Sequence, residues 1–349
     1  MAQSIVGVDI GSSTVRAAEV RRSGRGRQTL VGFFEVPLPE GAVSRGEVLE
    51  PNTVAAALKQ LWAKGRFRSK NVVLGMGNQR VLARDVSVPS MPIERIRESL
   101  PFHVQELLPV PVADALLDFY PISETQGENG LMANGLLIAA VKDAVLGNIK
   151  AVQLAGLTPV DVDLIPFAIT RALLQRDEIE GTTAVIEIGA NTTSVVIAQK
   201  GVPQFVRIIP AGGDDLTAAL RDRLEIEHAE AEKLKRMRGL NTTVTSDLDR
   251  RHAEIIFQVT SELLNSLRNT INYFMNTRPQ NPVAQIVLTG GGAKLEGLPD
   301  ALGELTRIPV LMADPFTSIG LGRSLRADEL RASQSALTVS LGLALGSAA

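Results

Sequence analysis

Polar and apolar positions along residues 4–20 describe two short β-branched strands joined by a glycine turn. A third strand is expected at Thr29–Val36. After a proline-marked stretch, Asn52 stands where a helix N-cap belongs. The helix it would start, Thr53 to about Lys64, puts Val54, Leu58, Leu61 and Trp62 on one face. Asn71–Gly75 reads as a buried strand closing a β-β-β-α-β unit. Then the texture changes. A strand at Val86–Met91 leads to a helical pattern over Ile93–Leu108, in which Pro101 should mark a break or a fresh start. A strand at Ala115–Ile122, a polar glycine-bearing loop at Thr125–Asn134, a strand at Gly135–Val141 and a helix from Lys142 to Ala155, closed by Gly156, follow. This β-α-β-β-α block, residues 82–160, reads as an inserted subdomain.

Asp163–Leu174 is expected to be a connecting helix. Strands follow over 182–198 and at Val202–Ile209, then a helix from about Asp215 to Leu224 and a charged helix at Glu227–Arg238. A long helix from about Ser246 to Thr277 carries Ile255, Ile256, Val259, Leu263, Leu267, Ile271 and Phe274 at helical spacing, a core stripe. The segment 283–293 is a strand running into three glycines. Helices at Gly297–Leu305 and Ser335–Leu345 complete the pattern.

One feature repeats. Residues 4–14, SIVGVDIGSST, return in altered form at 182–192, TTAVIEIGANT. Ile10 matches Ile188, Gly11 matches Gly189, Thr14 matches Thr192, and the acid Asp9 corresponds to Glu187. Each copy is a β-branched run, a carboxylate, a glycine turn with small polar residues, and a second strand. Such a tip brings backbone N–H groups close to a phosphate, while the hydroxyls of Ser12, Ser13 and Thr14 add donors. Taken alone, either turn is an ordinary tight hairpin. As a pair, led by Asp9 and Glu187, they suit a polyphosphate and its Mg²⁺, which takes few protein carboxylates and keeps waters. Glu187 reaches about one methylene further than aspartate, so metal binding is expected to survive better than in-line attack geometry. A structural ion pair is the alternative role for Glu187.

Composition narrows the classes. The 349 residues are 45% hydrophobic and 21% charged, the profile of a globular protein of one or two domains. A formal net charge of −2 makes no electrostatic case for nucleic acid or an anionic membrane as main partner. With no cysteine and 3 histidines, thiolate sites and a histidine metal centre are not expected. The N-terminus enters a strand without a signal-like segment, and no apolar run reaches membrane-spanning length. A cytoplasmic protein is expected, with membrane contact through partners. Arg21, Arg22, Arg25 and Arg27 crowd one hairpin turn, a solvated loop or, as the alternative, an anion or lipid contact.

Three further patterns bear on a nucleotide. Gly290, Gly291 and Gly292 sit where a strand turns towards a helix, leaving bare backbone for a ribose or base. Gly212 and Gly213 repeat that arrangement ahead of a helix, with Asp214 and Asp215 as candidate caps. Glu232 and Lys235, three apart on a helix, share a face. The carboxylate can accept from ribose hydroxyls and the lysine stem can lie on an adenine edge; an ordinary surface ion pair is the plain alternative.

Together these residues resemble the actin/Hsp70/sugar-kinase ATPase superfamily. IPAGGDDLT at 209–217 is similar to segments of the cell-division protein FtsA and of the PilM family of type IV pilus assembly proteins. PFHVQELLPVPVADALLDFYPI at 101–122, VDLIPFAITRAL at 162–173 and ALTVSLGLALG at 336–346 resemble PilM. The resemblance implies an α/β, bilobed actin-like fold: two ribonuclease-H-like lobes with an FtsA-type inserted subdomain. The first lobe would comprise 1–81 and a connecting helix at 161–181, with the insert at 82–160. The second would comprise 182–225 and 281–330 around a helical subdomain at 226–280, and 331–349 would return to the first lobe. It further implies ATP and Mg²⁺ as ligands. Asp9, Gly11, Ser12, Ser13 and Thr14 would form one phosphate loop and Glu187, Gly189, Asn191 and Thr192 the other. Gly212 and Gly213 would border the phosphates, Glu232 and Lys235 the ribose and base, and Gly290–Gly292 the adenosine. Asp9 and Glu187 are the metal candidates, and Asp163 is the candidate for positioning the attacking water. Partners implied are the cytoplasmic N-terminal peptide of a PilN-like membrane protein, in a groove beside the insert, and other pilus assembly proteins. The place implied is the inner face of the cell membrane. Two other readings stay open: an FtsA-like polymerising ATPase, which usually ends in an amphipathic membrane helix not found before Ala349, and a small-molecule kinase, which needs an acceptor-side base.

Overall fold

Two mixed sheets of six and five strands carry the molecule, and each contains one of the paired hairpins. The computed structural model describes residues 3–23, 28–128, 130–174, 181–240, 246–317, 319–323 and 325–346. Arg25 and Arg27, half of the arginine cluster noted in the sequence, lie outside these.

β1 (Gln3–Ile10) and β2 (Thr14–Arg22) form the first hairpin, and β3 (Gln28–Pro37) extends it. A short ladder of β4 (Val43–Ser44) and β5 (Glu47–Val48) precedes α1 (Pro51–Gly65). Proline at the first helical position, where its missing N–H is harmless, starts α1 two residues before the expected site. Asn52 therefore lies inside the helix, and Glu50 holds the cap position, its carboxylate accepting from the Thr53 hydroxyl at 2.8 Å and not from a helix N–H. β6 (Asn71–Met76) then pairs in parallel with β1.

The inserted part is a three-stranded antiparallel sheet of β7 (Val81–Pro89), β8 (Ala115–Gly127) and β9 (Gly130–Val141), with α2 (Ile93–His103) against it. Three expectations change here. The first strand begins five residues earlier than Val86. The polar stretch 125–134 is the end of a long hairpin, Thr125 pairing with Met132, because one solvated face tolerates polar side chains in an antiparallel sheet. α2 runs through Pro101 and ends at His103, so the proline falls in the last turn and removes little of the helix bonding.

α3 (Lys142–Leu154) and β10 (Thr158–Leu164) leave that sheet, although the block 82–160 was read as one insert. Ala151 and Val152 of α3 share a core with Leu58 and Leu61 of α1, and β10 pairs with β6. The connecting helix α4 (Ile165–Leu174) starts only after β10, so Asp163 is a strand residue.

The second half opens with the hairpin β11 (Thr182–Ile188) and β12 (Thr193–Gln199), followed by β13 (Val202–Ile209). Three helices come next: α5 (Gly213–Leu224), α6 (His228–Arg238) and α7 (Asp247–Thr277), the last capped by Ser246 accepting from the Asp249 N–H. β14 (Val283–Thr289), α8 (Leu298–Thr306) and β15 (Val310–Met312) finish this sheet, with order β13-β12-β11-β14-β15. The chain returns through β16 (Gly320–Leu321), α9 (Ala327–Ala332) and α10 (Gln334–Gly346), and the first sheet reads β10-β6-β1-β2-β3-β16.

Burial explains the strand composition. Val6, Val8, Val15 and Ala17 face α1 and α3, while Ala18, Val20 and Leu30 face Leu337 and Leu341 of α10. Both faces of the sheet are covered, so its central strands are apolar throughout. In the second lobe Leu264, Leu267, Ile271 and Phe274 of α7 pack with Ile186 and Ile197. The N-terminal half of the same helix, through Ile255 and Ile256, packs with Leu216, Leu220 and Ala231 of α5 and α6. This is a bilobed actin-like fold.

Candidate functional site

The two hairpin turns are built alike. The Gly11 N–H donates to the Thr14 carbonyl at 3.0 Å, and the Gly189 N–H to the Thr192 carbonyl at 2.9 Å. The glycine amides are thus spent inside the turns, which leaves the residues after them to meet a ligand. Between the tips lies a cavity of about 920 Å³. Asp9, Gly11, Ser12, Ser13 and Thr14 line it from the first lobe. Glu187, Gly189, Asn191, Thr192, Gly212, Gly213, Glu232, Lys235, Gly290, Gly291 and Gly292 line it from the second.

Glycine is required at two of these places by close approach. At Gly212 a Cβ would lie 2.4 Å from the Ala190 carbonyl oxygen. At Gly290, with φ of +89°, it would lie 2.3 Å from the Ile188 carbonyl oxygen and 2.8 Å from Glu187 Oε1. The start of α5 is consumed locally: the Gly213 and Asp214 N–H groups donate to the carbonyls of Gly189 and Ala190 at 2.9 and 2.8 Å. Asp215 accepts from the Gly212 N–H at 2.7 Å, and Asn191 donates to Asp214 at 3.1 Å. This helix end buttresses the second turn; its first amides do not point at a phosphate.

The electrostatics of the floor are set by too few cations. Asp9 is buried, and Arg16 Nη1 reaches it at 3.1 Å while Arg16 Nε reaches Glu35 at 3.2 Å. Burial pushes the Asp9 carboxyl up, against the pull of Arg16. For Arg16, burial favours the neutral form, but the two carboxylates outweigh it and the guanidinium is held more firmly protonated. Glu187 is pushed from 4.5 to about 8, first by burial and then by the nearby Asp9 charge, with Arg16 opposing. One guanidinium therefore serves three carboxylates. Thr14 Oγ1 is buried without a partner. A hard divalent cation that accepts carboxylate oxygen and completes its shell from phosphates and water fits this donor set. Asp9 and Glu187 are the residues that would hold it, and it would supply positive charge beside the turns. Among the described residues no cluster of three or more Asp, Glu, His or Cys forms a self-sufficient metal site.

Further into the second lobe, Lys235 donates to Thr217 Oγ1 at 2.8 Å and to the Gly213 carbonyl at 3.2 Å, and contacts Glu232 at 2.5 Å. Thr217 donates to Glu232 at 2.8 Å, and Arg236 reaches the other Glu232 oxygen at 2.8 Å. Burial alone would raise Glu232, yet the bonds from Lys235, Thr217 and Arg236 hold it below the usual range. Val259, Leu263, Leu295 and Leu298 add an apolar wall, suited to the face of a ring. Thr260, also lining, has a buried hydroxyl with no partner.

Asp163 does not join the site. Its carboxylate pairs with Arg171 and accepts from the Leu164 N–H at 2.7 Å, and it is absent from the cavity lining. Its place in β10, not at a helix start, directs it there. Conversely, sequence reasoning passed over Arg16. The signal was available: in a hairpin closed by a Gly11–Thr14 turn, residue 16 falls directly opposite residue 9. Thr217, which links Glu232 and Lys235, was also passed over; nothing local distinguishes it.

With this geometry in view, comparison with known proteins is decisive. The chain matches the family described as type IV pilus assembly protein PilM over residues 7–348. It belongs to that family. Its fold superposes on the solved PilM–PilN type IV pilus biogenesis complex with a TM-score of 0.86 and 29% identity, over 98% of this chain and 97% of that one. FtsA of Pseudomonas aeruginosa is 25% identical over 354 residues, 91% of this chain and 84% of the relative. EutJ of Carboxydothermus hydrogenoformans shares the fold alone, with a TM-score of 0.57 and 17% identity over 98% of this chain and 89% of that one. Among the described residues of this PilM-family chain, no helix is long and apolar enough to cross a membrane.

Proposed function

We propose that this PilM-family protein binds ATP with Mg²⁺ in the cleft and, in that state, docks the cytoplasmic N-terminal peptide of a PilN-like membrane protein. The carrying observation is the convergence of Asp9 and Glu187. They come from opposed hairpins in different sheets, yet the charge of one raises the pKa of the other. The triphosphate would lie across the two turns, and the Glu232–Lys235–Thr217 cluster would take the ribose and base edge. The peptide would lie in a groove beside the β7–β9 sheet, which holds the protein at the inner face of the cytoplasmic membrane. Support for a PilN-like partner comes from the partner named in the similar solved complex.

Nucleotide acts here by binding one relative placement of the lobes better than another, the way any ligand shifts a conformational balance. Holding is favoured over turnover. Glu187 is a long, proton-retaining acid, and Asp163, the one candidate for orienting a water, is engaged by Arg171. The test is peptide binding measured by titration with and without Mg-ATP, on the natural chain and on Asp9→Ala. Tighter peptide binding with Mg-ATP, lost in the variant, is the expected result. Equal affinity in all four arms would remove nucleotide from the account. The FtsA similarity over 91% of the chain favours one second reading, ATP-driven polymerisation. Sustained light scattering on adding Mg-ATP would select it.

A further inference from the structure

The net charge of −2 conceals a segregation. Residues 1–81 carry 12 Lys and Arg against 6 Asp and Glu, while residues 82–160 carry 5 against 9. The fold gathers much of the positive charge at one end of the first sheet. Strand β1 runs from that end to the cleft, so six residues, about 20 Å, separate Gln3 from Asp9.

At this end Arg22 pairs with Gln3 and Arg21 with Ser4. The loop after α1 sits against the same corner. The Arg68 and Ser69 N–H groups donate to Glu19, two residues from Arg21 on the same strand face, and Trp62 Nε1 donates to the Ser69 carbonyl at 3.0 Å. Phe67 is buried, its ring 5.2 Å from that of Trp62. A pinned loop therefore projects Arg66, Arg68 and Lys70 into solvent. Arg323 joins them, because β16 pairs with Thr29 and Leu30 at the start of β3.

Two features separate this surface from an incidental solvated rim. Arg66 occupies the left-handed position after α1, with φ of 52°, where glycine is favoured. Arg21, Arg66, Arg68 and Lys70 make no ion pair with a described residue, and Glu19, the acid in their midst, is buried and taken up by Ser4 and the loop amides. Among the described residues no large apolar side chain of β2, β3 or the 59–71 segment is exposed, and Leu321 of β16, at 37%, is the one such side chain beside Arg323. A protein partner usually needs such an anchor, whereas a diffuse layer of phosphate headgroups needs only cations.

We propose that this end of the first lobe is an electrostatic seat for an anionic phospholipid surface, independent of the partner peptide. The choice of lipid over other polyanions rests on the membrane-facing role proposed above. The contact itself requires neither nucleotide nor peptide. Co-sedimentation of the full chain with phosphatidylcholine vesicles, alone or with about two-fifths phosphatidylglycerol, tests it in the absence of both. Binding is expected only to the anionic vesicles and should fall steeply between low salt and about 0.3 M salt. Arg66→Gln/Arg68→Gln/Lys70→Gln should weaken it on the order of a hundredfold, with thermal midpoint and Mg-ATP binding retained. If the triple variant does not fold, the salt series on the natural chain decides. Equal binding to both vesicle types, salt-insensitive binding, full retention in a folded triple variant, or tighter binding to duplex DNA than to anionic vesicles would each overturn the assignment. Failure of peptide docking would leave this result untouched, and the reverse holds as well.

Discussion

Arg16 stands directly opposite Asp9 in the first hairpin, and Ser194 takes the corresponding place opposite Glu187 in the second. The two turns repeat each other in backbone geometry but not in charge. A single guanidinium compensates Asp9, Glu35 and, at longer range, Glu187. The site is consequently under-neutralised on the side where a cation would enter.

Removing that guanidinium should expose the imbalance. Arg16→Met keeps the chain's bulk but leaves Asp9 buried without its partner, a change worth about 3 kcal/mol at neutral pH. The loss should shrink on acidification, as Asp9 takes up a proton. Denaturant unfolding at two pH values checks this, and an unchanged unfolding free energy would show that the pair does not support the fold.

Glu187 makes the ligand-free protein sensitive to pH. Its pKa rises from 4.5 to about 8 on folding, so between those values the folded state binds the proton that the unfolded chain has released. The contribution is complete below the unfolded value and disappears as pH rises through the folded one. Stability should therefore decline from about pH 5 to pH 8, by on the order of 1–3 kcal/mol, because water in the cleft reduces the full effect. Glu187→Gln should flatten the slope. Divalent metal affinity should run the other way, strengthening with pH as the carboxylate is freed. Melting curves across that range, with and without Mg²⁺, provide the readout.

Neighbouring glycines should respond in opposite ways. Gly290→Ala drives a methyl into the Ile188 carbonyl and Glu187 while forcing an unfavourable φ, and should cost about 2 kcal/mol or more together with nucleotide affinity. Gly291 has nothing within 4 Å of a built Cβ, so Gly291→Ala should leave folding near its natural level. Equal melting points for the two variants would contradict the packing described around Gly290.

Asp163→Asn separates architecture from chemistry. Asp163 holds Arg171, whose Nε also donates to the Gly342 carbonyl of α10 at 3.2 Å. A stability loss of about 1–2 kcal/mol is expected, with Mg-ATP affinity and any residual hydrolysis unchanged. A selective fall in hydrolysis at full stability would return Asp163 to the reacting centre.

The paired hairpins, the glycine turns and the long α7 stripe were legible because each is local: strand alternation, a turn residue, or a 3.6-residue period reports itself within a dozen positions. The outcome at 125–134 was not, since a polar run on the solvated face of an antiparallel hairpin looks like a loop until its partner strand is present. β10 was within reach of the same alternation signal: Val160, Val162 and Leu164 alternate with Asp161 and Asp163, the period of a half-buried strand, and the structure pairs it with β6 at the sheet edge.

The same division runs through the site. Residue order alone decided that two acid-led glycine turns would exist and that glycine doublets and triplets would precede helices, because those conformations depend on a few adjacent φ/ψ choices. Only the tertiary structure decided that the turns share one cavity, that Asp163 serves a helix junction, and that the cations of the first lobe collect at the end away from the cleft. Those facts depend on strand register and on which chain segments become neighbours, and both are settled by burying the two sheets' faces against helices distant in sequence.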